Sequence, residues 1–316
     1  IERYQKKYPT SSINPLNFNH NMKTLLSIIC LLLALSSCQN AERNDKPTIT
    51  VTIEPLRYFT ETIAGDKFKV VSMVPEGSSP ETYDPTPQQM VSLSKSTAYL
   101  RIGYIGFEQS WIDKLQENFP KLQFYDTSAG VNLIHQQCSH SHGKETVENH
   151  AHGVEPHIWN STENAKIIAN NIYNALEELD AKNSEYYKNN LDSLTQIIEN
   201  TDETIKSIIA DADKTFLIYH PALTYFARDY GLEQISIEEG GKEPSPAHLQ
   251  SLIKLCKEKN AKVIFVQQEF DMRNAETIAK ELGVEVVPVN PLNYNWTEEM
   301  VNTAKALRTK EDTAKE

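Results

Sequence analysis

The sequence predicts an α/β protein with two lobes, each a four-stranded, mainly parallel sheet flanked by helices, joined by one long helix. Two observations predict it. Short β-branched strand patterns alternate with helical patterns in both halves of the chain, which is typical of parallel sheets. Between the halves, from Thr162 to about Ala212, the apolar spacing becomes purely helical. The 316 residues, 39% hydrophobic and 23% charged, suit one large or two medium domains.

Four strand patterns occupy the first half of the chain. Helical patterns separate them, one after the second strand and one after the third. We therefore assign residues 48–182 to an N-terminal α/β lobe. The strand patterns are Thr48–Ile53, Lys69–Val74, Ala98–Ile102 and Leu122–Tyr125, and the helical patterns are Pro87–Ser94 and Gly106–Asn118.

A long helical pattern follows the first lobe. Asp180–Ser184 interrupts it, and apolar residues from Leu191 to Ile208 then recur at helical spacing. The second part predicts a single helix of about 27 residues, near 40 Å long at the usual rise per residue. We assign residues 183–211 to this connecting helix.

The second half repeats the alternation of the first. We assign residues 212–316 to a C-terminal α/β lobe with four strands of its own. The strand patterns are Thr215–Tyr219, Gln234–Glu238, Val263–Val266 and Val284–Val289, and the helical patterns are Leu249–Lys257 and Arg273–Leu282.

Residues 22–38 resemble a bacterial lipoprotein signal. Lys23 supplies a positive start, and Leu25–Leu35 form an apolar run too short to span a bilayer as a stable helix. Two serines then precede Cys38, the residue that is acylated in such signals. A plain secretory signal with an incidental cysteine is the alternative. We expect a lipid on Cys38 and an extracytoplasmic, membrane-anchored protein, on the periplasmic face or the cell surface.

This signal divides the beginning of the chain into parts. A secretory signal belongs at the true start, so we expect translation from Met22 and residues 1–21 to be mis-assigned upstream residues. Residues 22–37 are the expected signal peptide. Residues 38–47 are polar after the cysteine, and we interpret them as lipid anchor and tether.

Charge and cysteine content exclude some classes of function. The formal net charge of −12 argues against a nucleic-acid partner, which needs a basic surface. If Cys38 carries the lipid, Cys138 and Cys256 remain in the mature chain. They could pair in an oxidising compartment, but their spacing does not decide this. Cys256 lies on an apolar helical face and is predicted to be a buried thiol.

Polar side chains from both halves follow predicted strands. His220 directly follows the first strand of the second half, Glu269 follows the third, and Asn290 follows the fourth. Glu81 follows the second strand of the first half after a short loop, and His157 precedes the central helices. Ligands in open α/β sheets bind beyond the carboxyl ends of strands, so we expect these groups to share one cleft. Each alone has an ordinary structural explanation. Together they indicate a metal site, because imidazole suits zinc, copper, iron and nickel.

One tract is unusually rich in histidine. Residues 135–152 contain five of the nine histidines and have no hydrophobic periodicity, which is typical of a loop. The tract could collect metal at low affinity or act as a solvated spacer. Its histidines are His135, His140, His142, His150 and His152.

Four motifs resemble those of the metal-binding lipoproteins of zinc and manganese ABC importers, and the similarity spans residues 48–307. Pro80–Pro87 (PETYDPTP) resembles the family's first-ligand motif, usually Pro-His-x-Tyr-Glu-Pro-x-Pro. Glu155–Trp159 (EPHIW) resembles Asp-Pro-His-x-Trp, which carries the second ligand. His220–Leu232 resembles the segment with the third, and Phe265–Phe270 resembles Phe-x-Glu-Pro-Gln-Phe.

The resemblance implies a ligand set with two departures from the family. His157 and His220 transfer as ligands. Glu81 transfers by position only, because the family usually has histidine there, and Asn290 stands where many members have an aspartate ligand. The fourth ligand is open between Glu269, Glu239 and a water, with Asn290 as a weak oxygen donor.

This donor set implies capture of Zn²⁺, or of Mn²⁺ or Fe²⁺ if the coordination expands. The histidine-rich tract favours zinc, because zinc-specific members of the family tend to carry such a loop. We expect Glu155 and Asp84, beside ligand motifs, to orient the ligands.

The resemblance also implies a binding protein without catalysis. We expect a monomer that delivers metal to a separate permease and its ATPase. A secreted zinc hydrolase is the remote alternative, although the chain lacks His-Glu-x-x-His. A binding protein for a larger chelate would have an aromatic-rich cleft without convergent histidines. The long helix predicts limited movement of the lobes.

Overall fold

The computed structural model describes residues 46–135, 153–238 and 241–308. Within them lie two four-stranded sheets, with strand orders β2-β1-β3-β4 and β6-β5-β7-β8. Every neighbouring pair of strands is parallel. The strands are β1 (Thr48–Val51), β2 (Lys69–Ser72), β3 (Ala98–Arg101), β4 (Gln123–Asp126), β5 (Thr215–Ile218), β6 (Glu233–Ser236), β7 (Val263–Gln267) and β8 (Glu285–Val289).

Helices connect the parallel strands and cover the sheets. The helices are α1 (Glu54–Ala64), α2 (Pro87–Leu93), α3 (Gly106–Asn118), α4 (Thr162–Leu179), α5 (Ser184–Ile209), α6 (Thr224–Tyr230), α7 (Pro246–Lys259), α8 (Arg273–Leu282) and α9 (Trp296–Ala306). The predicted fold class, two parallel four-stranded lobes with a long helix between them, is confirmed. The lobe boundaries at 182 and 211 stay a prediction.

The central strands are buried on both faces. Strands β5 (TFLI) and β7 (VIFVQ) contain only buried residues. Helices packed on both faces of a parallel sheet produce such continuous apolar strands. Cys256 is buried beside the second sheet, as predicted, and burial raises the pKa of its thiol to about 11. Cys138 lies outside the described residues.

Helix α5 is the long helix between the sheets. It contains 26 residues, which gives it a length of about 39 Å. A short 3₁₀ turn, Ala181–Asn183, separates it from α4. Its buried stripe includes Leu191, Leu194 and Ile198, which belong to one apolar core with residues of both sheets. Helix α5 therefore packs against both sheets through one core.

Helix α9 returns from the second sheet to the first. The ring of Trp296 lies 5.1 Å from that of Phe59 on α1. None of the helices in the described part of the chain is both long and apolar enough for a membrane span. The signal segment and Cys38 lie outside the described residues.

Candidate metal centre

A pocket lies where loops from the carboxyl ends of both sheets face each other. The empty space in and in front of this pocket, with open solvent included, is about 290 Å³. Glu81, His157, His220 and Glu269 all line it, so the structure brings four of the predicted groups to one pocket. The other lining residues are Ser79, Pro80, Trp159, Ala222, Phe270, Pro291 and Leu292.

The two histidines face each other across this pocket. The Nε2 atoms of His157 and His220 lie 3.2 Å apart, and the ring centroids are separated by 5.0 Å. His157 is 5% exposed, and the side chain of His220 is 19% exposed. Phe270 stacks on the ring of His220 at 5.5 Å and limits its rotation.

A carboxylate holds the other nitrogen of each ring. Nδ1 of His157 hydrogen bonds to Glu155, and Nδ1 of His220 lies 2.9 Å from Oε1 of Glu238. An ionised carboxylate only accepts hydrogen bonds, so both Nδ1 atoms donate. In the neutral rings, both Nε2 atoms therefore present a lone pair. Two facing lone pairs repel unless a proton or a metal ion lies between them.

The spacing of the Nε2 atoms fits a tetrahedral metal ion. Two Zn–N bonds of about 2.05 Å at the tetrahedral angle place their nitrogens about 3.3 Å apart. The 3.2 Å between the Nε2 atoms of His157 and His220 is close to this value. Carboxylate partners on the far nitrogens are the usual support of histidine ligands.

Protons compete for the same lone pairs. Burial acts to lower the pKa of His157, but the charge and hydrogen bond of Glu155 outweigh it, with smaller contributions from Glu81 and Glu238. The pKa of His157 therefore lies above its ordinary value of 6.5. Burial raises the pKa of Glu269, against the opposing effect of the two histidines.

Glu81 presents one free oxygen. Its Oε2 accepts a hydrogen bond of 3.1 Å from the backbone N–H of Gly106. Its Oε1 is buried and has no hydrogen-bond partner among the described residues. A buried carboxylate oxygen without a donor is costly, so this atom fits a cationic ligand in the pocket.

The described part of the chain does not hold a complete ligand cluster. Among residues 46–135, 153–238 and 241–308, no three His, Cys, Asp or Glu side chains converge as ligands of one metal ion. The two histidines converge, whereas Glu81 and Glu269 line the same pocket without completing the set. Glu239 lies outside the described residues.

Asn290 is not brought to the histidine pair. Its Oδ1 accepts a hydrogen bond of 3.2 Å from the N–H of Leu292, and the next two residues line the pocket in its place. Its backbone N–H donates to Glu299. A strand-end asparagine forms such a local turn readily, and this competes with ligation.

Most of the histidine-rich tract lies outside the described residues. This applies to His140, His142, His150 and His152. His135 is exposed, forms an isolated antiparallel bridge with Val154, and does not line the pocket. The tract therefore begins at a fixed backbone position.

The supporting carboxylates were only partly predicted. Glu155 orients His157 as expected, whereas Asp84 accepts a hydrogen bond from the indole of Trp111 instead. Glu238 was missed, although it is the last residue of a predicted strand. Gly106 was also missed, because nothing in its local sequence shows that it contacts Glu81.

A pocket between two α/β lobes on one long helix is the architecture of a solute-binding protein. The chain belongs to the family described as zinc-uptake complex component A, periplasmic, whose model matches residues 49–310. This confirms the resemblance drawn from the four motifs.

Relatives and solved structures agree with this membership. The iron ABC transporter substrate-binding lipoprotein MtsA of Streptococcus pyogenes serotype M1 is 30% identical over 275 residues, covering 83% of this chain and 84% of MtsA. The high-affinity zinc uptake system protein ZnuA of Bacillus subtilis is 26% identical, covering 85% and 88%. A crystal structure of ZnuA matches with a TM-score of 0.76 at 35% identity, covering 83% and 97%.

By their names, MtsA is a substrate-binding lipoprotein of an ABC transporter and ZnuA is a protein of a zinc uptake system, and neither is an enzyme. The prediction that the chain is not an enzyme is therefore confirmed, and the hydrolase alternative is wrong. The names of the relatives include both zinc and iron, so they do not decide the metal.

Proposed function

We propose that this protein captures Zn²⁺ between its two lobes and delivers it to an ABC importer. The observation that carries the proposal is the buried pair of histidines whose Nε2 lone pairs meet at 3.2 Å. Each ring is fixed by a carboxylate on its other nitrogen, so the pair is arranged for a cation before any ligand arrives.

Oxygen atoms complete the coordination of the ion. Glu81 is the third ligand, through its unpartnered Oε1. Glu269 is the described candidate for the fourth, with Glu239 and a water as the others. Two imidazoles, a carboxylate and one further oxygen form a tetrahedral zinc set.

Mn²⁺ or Fe²⁺ is the second candidate. The carboxylates around the pocket favour it, because harder ions prefer oxygen ligands. It would require the coordination to expand beyond four.

The partners follow from the class of protein. A separate permease and its ATPase receive the metal. The protein is attached to a membrane through a lipid on Cys38, on the extracytoplasmic side, and works as a monomer. The histidine-rich tract collects metal at lower affinity than the pocket.

A competition titration of the metal-stripped chain from residue 39 onward tests the proposal. Zn²⁺ and Mn²⁺ are titrated against a chelating indicator, using the wild type and the double variant His157→Ala/His220→Ala. One tight zinc site should be lost in the double variant, leaving only weak binding. His248→Ala is the matched control, since His248 lies on α7 and does not line the pocket. A tight site that survives the double variant would contradict the assignment.

A further inference from the structure

The segment that carries Glu81 caps helix α3. The N-cap residue of α3 is Ile105, whose side chain cannot accept a hydrogen bond. The N–H of Phe107 donates to the carbonyl of Pro80 at 2.9 Å, and the N–H of Gly106 donates to Oε2 of Glu81. The first N–H groups of a helix have no partner within it. Pro80 and Glu81 therefore supply the acceptors that the cap residue lacks.

The close approach of the two segments requires glycine at position 106. A Cβ atom there would lie 2.5 Å from the backbone oxygen of Glu81 and 2.9 Å from its Oε2. Both distances are shorter than van der Waals contact, and the first involves backbone that cannot rotate away. Any side chain at Gly106 would push Glu81 out of its position.

Glu108 fixes the turn that leads into α3. Its two oxygens accept hydrogen bonds from the N–H groups of Ile102 at 2.8 Å and Gly103 at 2.6 Å. Thr52 donates to the same carboxylate, which is 1% exposed. A buried, fully bonded carboxylate holds a backbone segment firmly. The position of Gly106 is thus set from the core of the first lobe.

The contact of Gly106 with Glu81 gives the two oxygens of Glu81 different surroundings. Oε2 is held by Gly106, and Oε1 is left for the pocket. A metal ion held by both oxygens would compete with the Gly106 N–H for Oε2, so this hydrogen bond favours ligation through Oε1 alone. A neutral imidazole has a single lone pair, so a histidine at position 81 could not accept from Gly106 and bind a metal ion together.

We propose that the first turn of α3, through Gly106 and Glu108, restricts Glu81 to one-oxygen ligation and so makes the site prefer zinc over manganese. Zinc sites are four-coordinate and tetrahedral, whereas Mn²⁺ takes six, mainly oxygen ligands. A carboxylate that can give only one oxygen favours the smaller coordination number. The inference rests on the proposed function, because it takes Glu81 as a ligand.

The test compares Gly106→Ala with Ser110→Ala, an exposed position on the same helix. Zn²⁺ and Mn²⁺ affinities are measured by competition, and Co²⁺ is used as a spectroscopic probe, since four-coordinate Co²⁺ absorbs visible light far more strongly than six-coordinate Co²⁺. Gly106→Ala should weaken zinc binding by about tenfold or more, the size of effect usual for groups that orient ligands, and should lower the ratio of zinc to manganese affinity. It should also weaken the Co²⁺ absorption, and Ser110→Ala should change neither.

Glu108→Gln is the second variant for the same comparison, and it replaces Gly106→Ala if that protein does not fold. Its amide has one acceptor oxygen, so it cannot hold both N–H groups of the turn. The variant touches no pocket residue, yet the affinity ratio should shift in the same direction. Tight zinc binding by the wild type, with an unchanged ratio and Co²⁺ spectrum in the folded variants, would overturn the inference alone. A wild type that binds neither ion would instead contradict the proposed function.

Discussion

At the scale of single residues, the site depends on two carboxylate–histidine pairs. Glu155 is buried beside His157, and Glu238 is buried beside His220. Each carboxylate selects the tautomer in which Nε2 faces the pocket. Without them, rotation or the other tautomer would turn the lone pair away from the pocket.

Removing one carboxylate should weaken metal binding without removing a ligand. We expect Glu155→Gln and Glu238→Gln each to lower zinc affinity by about 10–100-fold, because an amide can also bind the wrong tautomer. A competition titration with a chelator of known affinity measures the change. Glu199→Gln, on the exposed face of α5, is the control. Wild-type affinity in both variants would show that the pairs do not orient the ligands.

Metal affinity should fall as the pH is lowered. The pKa of His157 lies above 6.5. Its protonated form, which cannot bind metal, therefore gains population as the pH falls from about 7.5 to about 5. We expect zinc binding to be at least about tenfold weaker near pH 5 than near pH 7.5. Titrations in matched buffers measure this. Equal affinity at the two pH values would exclude a site dominated by histidine.

The position of His220 at the pocket could be predicted because this residue stands directly after a buried strand. His220 follows β5, and its position relative to the sheet is fixed by one short, apolar run. The contact between Gly106 and Glu81 could not be predicted, because it joins a loop to the first residue of a distant helix through a backbone N–H. Asn290 is a candidate from its strand-end position and from its match to an aspartate ligand position of the family, and neither gives information on its local turn.

At the scale of elements, the long helix α5 carries the packing between the sheets. Leu194 on its buried face is 0% exposed, whereas Ile197 on the opposite face is 38% exposed. The helical spacing in the sequence correctly predicted this stripe. The sequence analysis did not single out helices α1, α6 and α9.

The two faces of α5 should respond differently to truncation. Leu194→Ala leaves a cavity in the shared core and should cost about 2–5 kcal/mol of unfolding free energy. Ile197→Ala, the matched control, should cost less than about 1 kcal/mol, because its side chain keeps much of its exposure on folding. Urea denaturation of the metal-free protein measures both. Similar costs for the two variants would contradict the orientation of α5.

The turn between β3 and α3 should give a pH-dependent stability. Burial raises the pKa of Glu108 to about 7, although hydrogen bonds from Thr52, Ile102 and Gly103 act to lower it. The folded state therefore holds this proton more tightly than the unfolded state, whose value is near 4.5. The stability from Glu108 is fully present below that value and is lost as the pH rises through about 7.

Glu108→Gln removes this titration. The unfolding free energy of the wild type relative to the variant should therefore decrease between about pH 5 and about pH 8. Urea denaturation of the metal-free proteins at the two pH values measures the difference. A difference that stays constant or increases with pH would show that Glu108 is ionised throughout this range.

At the scale of the whole molecule, buried hydrogen bonds join the two lobes beside the pocket. The indole N–H of Trp159 donates to the carbonyl of Pro291 at 2.7 Å. The indole N–H of Trp296 donates to the backbone carbonyl of Trp159 at 2.8 Å. Asn160 donates to the carbonyl of Ala222 at 2.8 Å. Opening the lobes would leave these buried groups without partners, which is costly.

Metal loading should therefore move the lobes little. We expect the backbones of metal-free and zinc-loaded crystals to superpose within about 1 Å, as in other preorganised binding proteins. Local loops beside the pocket can still rearrange to complete the ligand set. A hinge motion that displaces one lobe relative to the other by several times this amount would contradict the prediction of limited movement.

A zinc-loaded crystal, with diffraction recorded on both sides of the zinc absorption edge, tests the central claim most directly. The anomalous map should show one strong peak within about 2.0–2.1 Å of Nε2 of both His157 and His220, with an oxygen of Glu81 beside it. A strong peak elsewhere, or none between the two histidines, would contradict the assignment of this pocket as the metal centre.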